Sequence, residues 1–251
     1  MRIALLRTSA GARFARLDGP RAHVIDREPW LGGSETGETL GWEEADLRCP
    51  VRPSKIVCVG RNYAAHAREL GHDIPSEPLL FLKPPSSLAG PGDAVVLPPE
   101  STRVEHEAEL AVVLGRRSKN VPRQDALAHV LGYTCACDVT ARDLQKKDVQ
   151  FTRSKGFDTF CPLGPWIETE LDASKARIYC RVNGQTRQDG TTARMIFDVP
   201  TVVAYVSRMM TLEPGDVILT GTPEGVGPLV AGDLLEIEVA GVGALKLHVE
   251  T

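Results

Sequence analysis

The chain holds 251 residues, 42% of them hydrophobic and 25% charged, with a formal net charge of -4, which excludes a disordered chain and allows one sizeable core, alone or with a small appendage. No long basic run offsets that charge, so a nucleic-acid footprint and a polybasic membrane patch are both excluded, and the expected partners are small molecules or a second copy of the chain. No apolar run reaches the roughly 18 residues of a membrane span, and Met1-Arg2-Ile3-Ala4-Leu5-Leu6-Arg7 is too soon interrupted for a signal peptide, so a soluble cytoplasmic protein is expected.

Residues 2–7 and 12–17 read as short strands, followed by a Gly-rich acidic stretch over 32–46 that ends at Cys49-Pro50 and Arg52-Pro53. That pattern predicts a small β-rich unit with a linker over 1–53, ahead of a larger domain over 54–251. The run Lys55-Ile56-Val57-Cys58-Val59-Gly60 is a continuous apolar strand, and Arg61-Asn62-Tyr63 leads into a helical stretch over 64–70 closed by Gly71. On that helix His66 and Glu69 share a face, so the carboxylate can hydrogen-bond the imidazole and raise its basicity. Such a histidine is the usual general base near neutral pH, although an exposed helix with a casual polar pair has the same spacing. Nothing spaced like His-Glu-x-x-His points to a zinc protease. Between 76 and 100, Pro78, Pro84, Pro85, Pro91, Pro98 and Pro99 predict a loop around one short strand at 79–82.

The stretch Val104-Glu105-His106-Glu107-Ala108-Glu109-Leu110-Ala111-Val112-Val113 carries the strongest chemical signal. On a strand, alternate side chains share a face, so Glu105, Glu107 and Glu109 would project together while Ala108, Leu110 and Val112 face the other way. Like charges so crowded repel unless a cation lies between them. Carboxylates with no Cys cluster or His-x-x-x-His nearby favour hard Mg2+, Mn2+ or Ca2+ over zinc. The alternative is a solvated strand face.

Downstream, a helix is predicted over 124–130, then a strand over 131–138 in which Cys135 and Cys137 share a face. The six cysteines (Cys49, Cys58, Cys135, Cys137, Cys161, Cys180) lack paired C-x-x-C spacing, which argues against disulfides or structural zinc and for buried reduced thiols. Asp138 ends its strand, where a loop can shape a pocket; it reads as a third metal ligand or as a turn or cap residue. A charge-rich segment over 140–155 closes at Lys155, a candidate cation for an anionic intermediate or else a surface residue. From 178 strands dominate, with one helix over 199–210 and strands over 216–220, 233–239 and 245–249. The loop Thr220-Gly221-Thr222-Pro223-Glu224-Gly225-Val226-Gly227 lacks the Gly-Lys-Ser/Thr ending of a phosphate-binding loop. It reads instead as a tight turn that exposes backbone N–H groups and Thr222 to a small carboxylate.

Several of these segments, taken in order, carry a resemblance. They are Gly60-Arg61-Asn62-Tyr63 with His66 and Glu69, Leu82-Lys83-Pro84, Glu107-Ala108-Glu109-Leu110, Asp138-Val139-Thr140-Ala141-Arg142-Asp143-Leu144-Gln145, Lys155-Gly156-Phe157-Asp158 and Leu219-Thr220-Gly221-Thr222-Pro223. The series resembles the fumarylacetoacetate hydrolase family over about four fifths of the chain, from Lys55 onward. The resemblance implies an α+β fold that is mainly β, a mixed β-sandwich roll behind a small N-terminal β-rich appendage, and a homodimer. It further implies that Glu107, Glu109 and Asp138 hold Mg2+ or Mn2+, with Ca2+ an alternative in crystals. Glu105 falls where relatives vary and is left out of the ligand set. His66 and Glu69 match a water-activating dyad on a lid helix, Lys155 matches a catalytic lysine, and Arg61, Arg142, Gln145 and Thr222 match positions that contact substrate.

The activity so implied is divalent-metal-dependent hydrolysis of a carbon–carbon bond in a small keto acid, an acylpyruvate-like β-diketo acid of the fumarylpyruvate type, through a metal-bound enolate. Water activated by His66 would attack the distal carbonyl while Lys155 stabilises developing charge. Two alternatives use the enolate without water. One is decarboxylation of a β-keto acid such as oxaloacetate; the other is the isomerisation or decarboxylation of a hydroxymuconate-type diacid in aromatic catabolism. A non-catalytic metal or small-molecule binder is the alternative from another class.

Overall fold

In the computed structural model, which describes residues 1–251, the chain opens with an antiparallel meander of β1 (Arg2–Thr8), β2 (Gly11–Asp18), β3 (Arg21–Ile25) and β4 (Glu35–Gly41). The last of these corrects the expected linker. Its threonines and glutamates face solvent on both sides, so no apolar alternation reveals the strand, yet its backbone pairs with β3. After β5 (Leu47–Arg48), the apolar strand β6 (Ile56–Gly60) pairs antiparallel with β7 (Leu79–Lys83) across the short helix α1 (Ala64–Glu69). The proline-rich stretch beyond is less bare than expected, because β8 (Leu88–Ala89) and β9 (Ala94–Val96) lie within it. Both are too short to form on local propensity and exist through parallel pairing with strands far along the chain.

The acidic strand divides into β10 (Val104–His106) and β11 (Ala108–Leu114), with the break at Glu107. Residues Arg123–His129 form a 3-10 helix where an α-helix was expected; only Ala126 in it is buried, so there is no apolar stripe to dock a longer helix. Then come β12 (Val130–Cys137), β13 (Thr140–Ala141), α2 (Arg142–Lys147), α3 (Thr152–Lys155), β14 (Cys161–Glu168), β15 (Arg177–Val182) and β16 (Gln185–Thr191). Helix α4 (Val199–Met209) follows the sequence expectation closely. Asp198 caps it by accepting from the Thr201 N–H, and Val199, Val202, Val203 and Val206 bury one stripe. The chain ends with β17 (Val217–Leu219), β18 (Gly227–Pro228), β19 (Leu234–Val239) and β20 (Gly243–Glu250).

Strands occupy 43% of the chain against 18% for helices, which makes this an α+β fold with strands prevailing. The largest sheet has twelve strands and runs β4-β3-β2-β1-β14-β12-β11-β17-β6-β7, with β5 on β1 and β8 on β14. A five-stranded sheet, β16-β15-β19-β20-β9, packs on one face of it, and a small sheet joins β13, β10 and β18. Leu110, Val112 and Leu114 of β11 pack with Ile178, Ile237 and Leu247 of the five-stranded sheet, while Ala111 and Val113 face a second core with Ile56 and Ile167. Both faces of β11 are therefore buried, which is why its sequence is continuously apolar after Glu109.

The large sheet must curl. Trp30, just after β3, lies so close to Gly215, just before β17, that a Cβ there would meet its ring at 2.8 Å. Six strand steps separate β3 from β17, about 29 Å if the sheet were flat. Curling into a roll closes that distance. The first fifty residues share this sheet, because β1 pairs with β14 at Arg2↔Glu168 and Ile3↔Ile167. All six cysteines are unpaired thiols, buried except for the half-buried Cys49. No helix is long and apolar enough to cross a membrane.

Candidate active site

Strand register assembles the acidic cluster. Ala108 lies opposite Cys137 in the β11–β12 pair, so Asp138 falls opposite Glu107, and its N–H donates to the Glu107 carbonyl at 2.8 Å. Glu109 follows one pleat further on the same side. The carboxylate oxygens of Glu107, Glu109 and Asp138 all lie within 4.8 Å of one another, and the three side chains are buried. Glu105 has a different fate from the solvated or ligating one its spacing allowed. It is buried, and it accepts from Arg103 Nε at 2.6 Å and Arg142 Nε at 2.7 Å.

Three buried cations hold the acids apart. Lys155 Nζ donates to Glu107 Oε2 at 2.8 Å and Asp138 Oδ2 at 2.6 Å, so its ammonium bridges two of the three acids. Lys83 Nζ, fully buried, donates to Asp138 Oδ1 at 2.6 Å and to the Val139 carbonyl at 3.2 Å. Arg142 Nη2 donates to Glu107 Oε1 at 2.6 Å and its Nη1 to Gln145 Oε1 at 2.5 Å, so this arginine is first a clamp between Glu105 and Glu107. Burial alone would raise the Glu107 carboxyl, but the Lys155 and Arg142 charges win and hold it below the ordinary carboxylate range. Burial alone would likewise lower Lys155, yet Asp138 and Glu107 keep its ammonium protonated well above the usual lysine range.

Glu109 is the exception. It makes no ion pair and accepts only the Gly221 N–H at 2.6 Å. Burial, with Asp138 and Glu107 close by, pushes its carboxyl well above the usual range. Three buried carboxylates, one of them without a counter-charge, are a donor set of hard oxygens that suits a divalent ion such as Mg2+ or Mn2+. The acidic triad can bind a divalent metal. Gly221 is required where it stands: its φ is +98°, and a Cβ would lie 2.7 Å from Asn62 Cβ.

A cavity of about 360 Å3 opens over this cluster. The structure brings nine of the ten expected residues to its wall: Arg61, His66, Glu107, Glu109, Asp138, Arg142, Gln145, Lys155 and Thr222. Glu69 sits behind the wall, with Oε2 at 3.1 Å from His66 Nδ1 and Oε1 accepting the Gly225 N–H at 3.0 Å. Within the pair His66 is buried while Glu69 reaches solvent. Arg61, at a left-handed φ of 56°, turns the chain sharply from β6 toward α1.

Other wall and support residues were not singled out from sequence. Lys83 stands in the Leu82-Lys83-Pro84 motif of the resemblance but was given no role there; it closes an apolar strand before two prolines, a place where a buried ammonium needs a partner. Asn62 is fully buried and ties the α1 turn to two loops, donating to the Phe197 and Thr220 carbonyls at 2.9 and 2.7 Å. His72 and Phe151 join the wall from loops, Lys146 from the last turn of α2 and Phe81 from within β7. Burial and the nearby Arg61 lower His72 from the ordinary histidine range.

Residues 55–250 match the family described as fumarylacetoacetate (FAA) hydrolase, C-terminal, and residues 1–50 match that described as Rv2993c-like, N-terminal. The chain is 47% identical over 196 residues to oxaloacetate decarboxylase, mitochondrial, of Dictyostelium discoideum, covering 75% of this chain and 89% of that one. Oxaloacetate tautomerase FAHD2A, mitochondrial, of Homo sapiens is 46% identical over 215 residues, covering 80% and 68%. Among solved structures, 5-carboxymethyl-2-hydroxymuconate delta-isomerase from Mycobacterium smegmatis superposes with a TM-score of 0.93 at 44% identity, covering 100% and 99%. Fumarylpyruvate hydrolase from Pseudomonas aeruginosa, in complex with Mn2+ and pyruvate, superposes with a TM-score of 0.75 at 31% identity, covering 84% and 98%.

Proposed function

The chain belongs to the fumarylacetoacetate hydrolase family and is an enzyme of it, and from that premise we propose that it acts on a short 2-oxo dicarboxylic acid of the oxaloacetate class, moving the proton beside the ketone as a tautomerase or decarboxylase with Mg2+ or Mn2+. The observation that carries this reading is the polarity of the cavity. The acidic triad shares the wall with Arg61 and Lys146, neither of which is in an ion pair within the protein. A substrate with two carboxylates could offer one to a cation held by the triad and the other to these free side-chain cations.

Glu107, Glu109 and Asp138 would hold a divalent cation, which would supply Lewis acidity to the bound keto acid. Lys155, kept protonated by Glu107 and Asp138, brings fixed positive charge to where negative charge develops. Glu69 takes His66 Nδ1, which leaves Nε2 to accept the proton from the carbon beside the ketone and return it to oxygen or carbon. In decarboxylation the bonding electrons pass into the enolate as carbon dioxide leaves, and His66, entering this step protonated on Nε2 with a proton taken from water, delivers that proton to the carbon. The apolar wall of Val59, Leu79, Phe81 and Phe151 limits access of bulk water to this step.

Hydrolysis of an acylpyruvate, the reading that stood first from sequence, is the second proposal. It is favoured by the same dyad, which can activate water in place of a carbon acid, and by similarity to a fumarylpyruvate hydrolase. Assays of the Mn2+-loaded protein on oxaloacetate, a hydroxymuconate-type diacid, acetylpyruvate and fumarylpyruvate, each with and without EDTA, separate the two. We expect EDTA-sensitive turnover of oxaloacetate or the hydroxymuconate-type diacid, and a loss of about 100-fold or more in His66→Ala with Mn2+ affinity retained. Rapid acylpyruvate hydrolysis with both other substrates untouched would reverse the order of the readings.

A further inference from the structure

Gln188, in β16 of the five-stranded sheet, is fully buried and does not line the cavity. Its amide makes four hydrogen bonds. Oε1 accepts the Ala108 N–H at 3.0 Å and faces His106 Nδ1 at 3.0 Å, while Nε2 donates to the Pro223 carbonyl at 2.8 Å and to Thr222 Oγ1 at 2.7 Å. The orientation of the amide is forced, because Ala108 offers a backbone donor and Pro223 a backbone acceptor, and neither can change role. Two further polarities follow. His106 must carry its proton on Nδ1, and Thr222 Oγ1, already accepting from Gln188, must donate its own proton to the Ala108 carbonyl at 2.8 Å.

We propose that Gln188 is a positioning residue that fixes the direction of the Thr222 hydroxyl, so that Thr222 meets the substrate with an acceptor oxygen rather than a donor. Sequence predicted that Thr222 and its loop would offer donors to a carboxylate. The network reassigns the hydroxyl: with its proton committed to Ala108, its remaining lone pair can only accept, and on a 2-oxo acid the donor it can meet is the enol hydroxyl. That choice of ligand rests on the function proposed above. The same four bonds tie β16 to the start of β11, between Glu107 and Glu109, and to the loop after β17.

Gln188→Leu, Thr222→Val and the double variant are to be compared with wild type for KM, kcat and Mn2+ affinity. Each single variant should raise KM about tenfold, the scale of one hydrogen bond lost to substrate, with kcat and Mn2+ affinity within about threefold. The double variant should be no worse than either single one, because both remove the same contact. An unchanged KM in folded Gln188→Leu, or effects that multiply to about a hundredfold, would overturn the proposal. If Gln188→Leu does not fold, the near-isosteric Gln188→Met decides: it has no donor to offer Thr222, so a tenfold rise supports the role and an unchanged KM refutes it. If wild type turns over no 2-oxo acid, the proposed function has failed, and a crystal structure of the folded Gln188 variant judges this inference separately. Thr222 Oγ1 still seated on the Ala108 carbonyl would refute it; a rotated Thr222 would support it.

Discussion

At the scale of single residues, the acidic cluster is a balance of buried charges in which each member depends on a specific counter-charge. Glu109 alone lacks one, and burial beside Asp138 and Glu107 raises its carboxyl. Glu109→Gln should therefore stabilise the protein in EDTA by about 1 kcal/mol, since it removes an unpaired buried carboxyl. The same variant should lose the rise in melting temperature that Mn2+ gives wild type, because one of three ligands is gone. Lys83→Met should act in the opposite sense. It strips Asp138 of one of its two ammonium partners and costs about 3 kcal/mol in EDTA. Urea denaturation of both variants checks the signs, and a Glu109→Gln protein less stable than wild type would contradict this account. These opposite signs could not be read from sequence, where Glu107 and Glu109 look equivalent. Their difference comes from Lys155 and Arg142, 48 and 35 residues from Glu107, which bond that glutamate and not Glu109.

At the scale of elements, register and short helices place the side chains. Asp143, in the first turn of α2, accepts from Ser101 Oγ at 2.6 Å and from the Thr102 N–H at 2.9 Å, while the Arg142 N–H donates to the Arg103 carbonyl at 2.7 Å. These bonds pin the segment before β10 to α2 and so fix Arg142 between Glu105 and Glu107. What burial Asp143 has would raise its carboxyl, but the Ser101 and Thr102 donors outweigh it and bring it down to about 2. Its folded value lies below the unfolded one of about 3.9, so its stabilisation is complete above that pH and is lost as pH falls through about 2. Asp143→Asn should cost about 0.5–1 kcal/mol near neutral pH, a figure discounted for solvent exposure, and the two proteins should converge as acid is added. A gap that stays constant from neutral pH downward would count against the titration of Asp143. Helix α4 and strand β11 were legible because their apolar spacing matches one buried stripe and two buried faces respectively. Strands β4, β8 and β9 were not, since one is polar on both faces and the others are held by partners far along the chain.

At the scale of the molecule, the twelve-stranded sheet ends at β7, whose free edge exposes Leu79 at 36% and Leu82 at 48% beside the cavity wall. An apolar open edge of this kind is covered in stable proteins, and a second copy is the simplest cover. We propose on this ground that the chain is a homodimer that uses the β7 edge. Light scattering on the eluted protein should give twice the 27.2 kDa of one chain, and Leu82→Lys should shift it toward the monomer. A monomer at micromolar concentration would refute the dimer; a dimer indifferent to Leu82→Lys would move its interface elsewhere.

The sequence by itself carried the family and the predominance of strands and, through the family resemblance, named the three acids, the dyad and the lysine as candidates, because the motifs that carry that resemblance are short and local. Only the tertiary structure decided how they act on one another. It separated Glu107 from Glu109, gave Glu105 to Arg142, added Lys83 beneath Asp138, and turned the Thr222 hydroxyl through Gln188. Each of these depends on a buried polar contact between residues 34 to 55 positions apart. Burial makes such a contact obligatory, since an unpaired polar group inside the protein costs free energy, but which partner meets the need is set by strand register and the curl of the sheet.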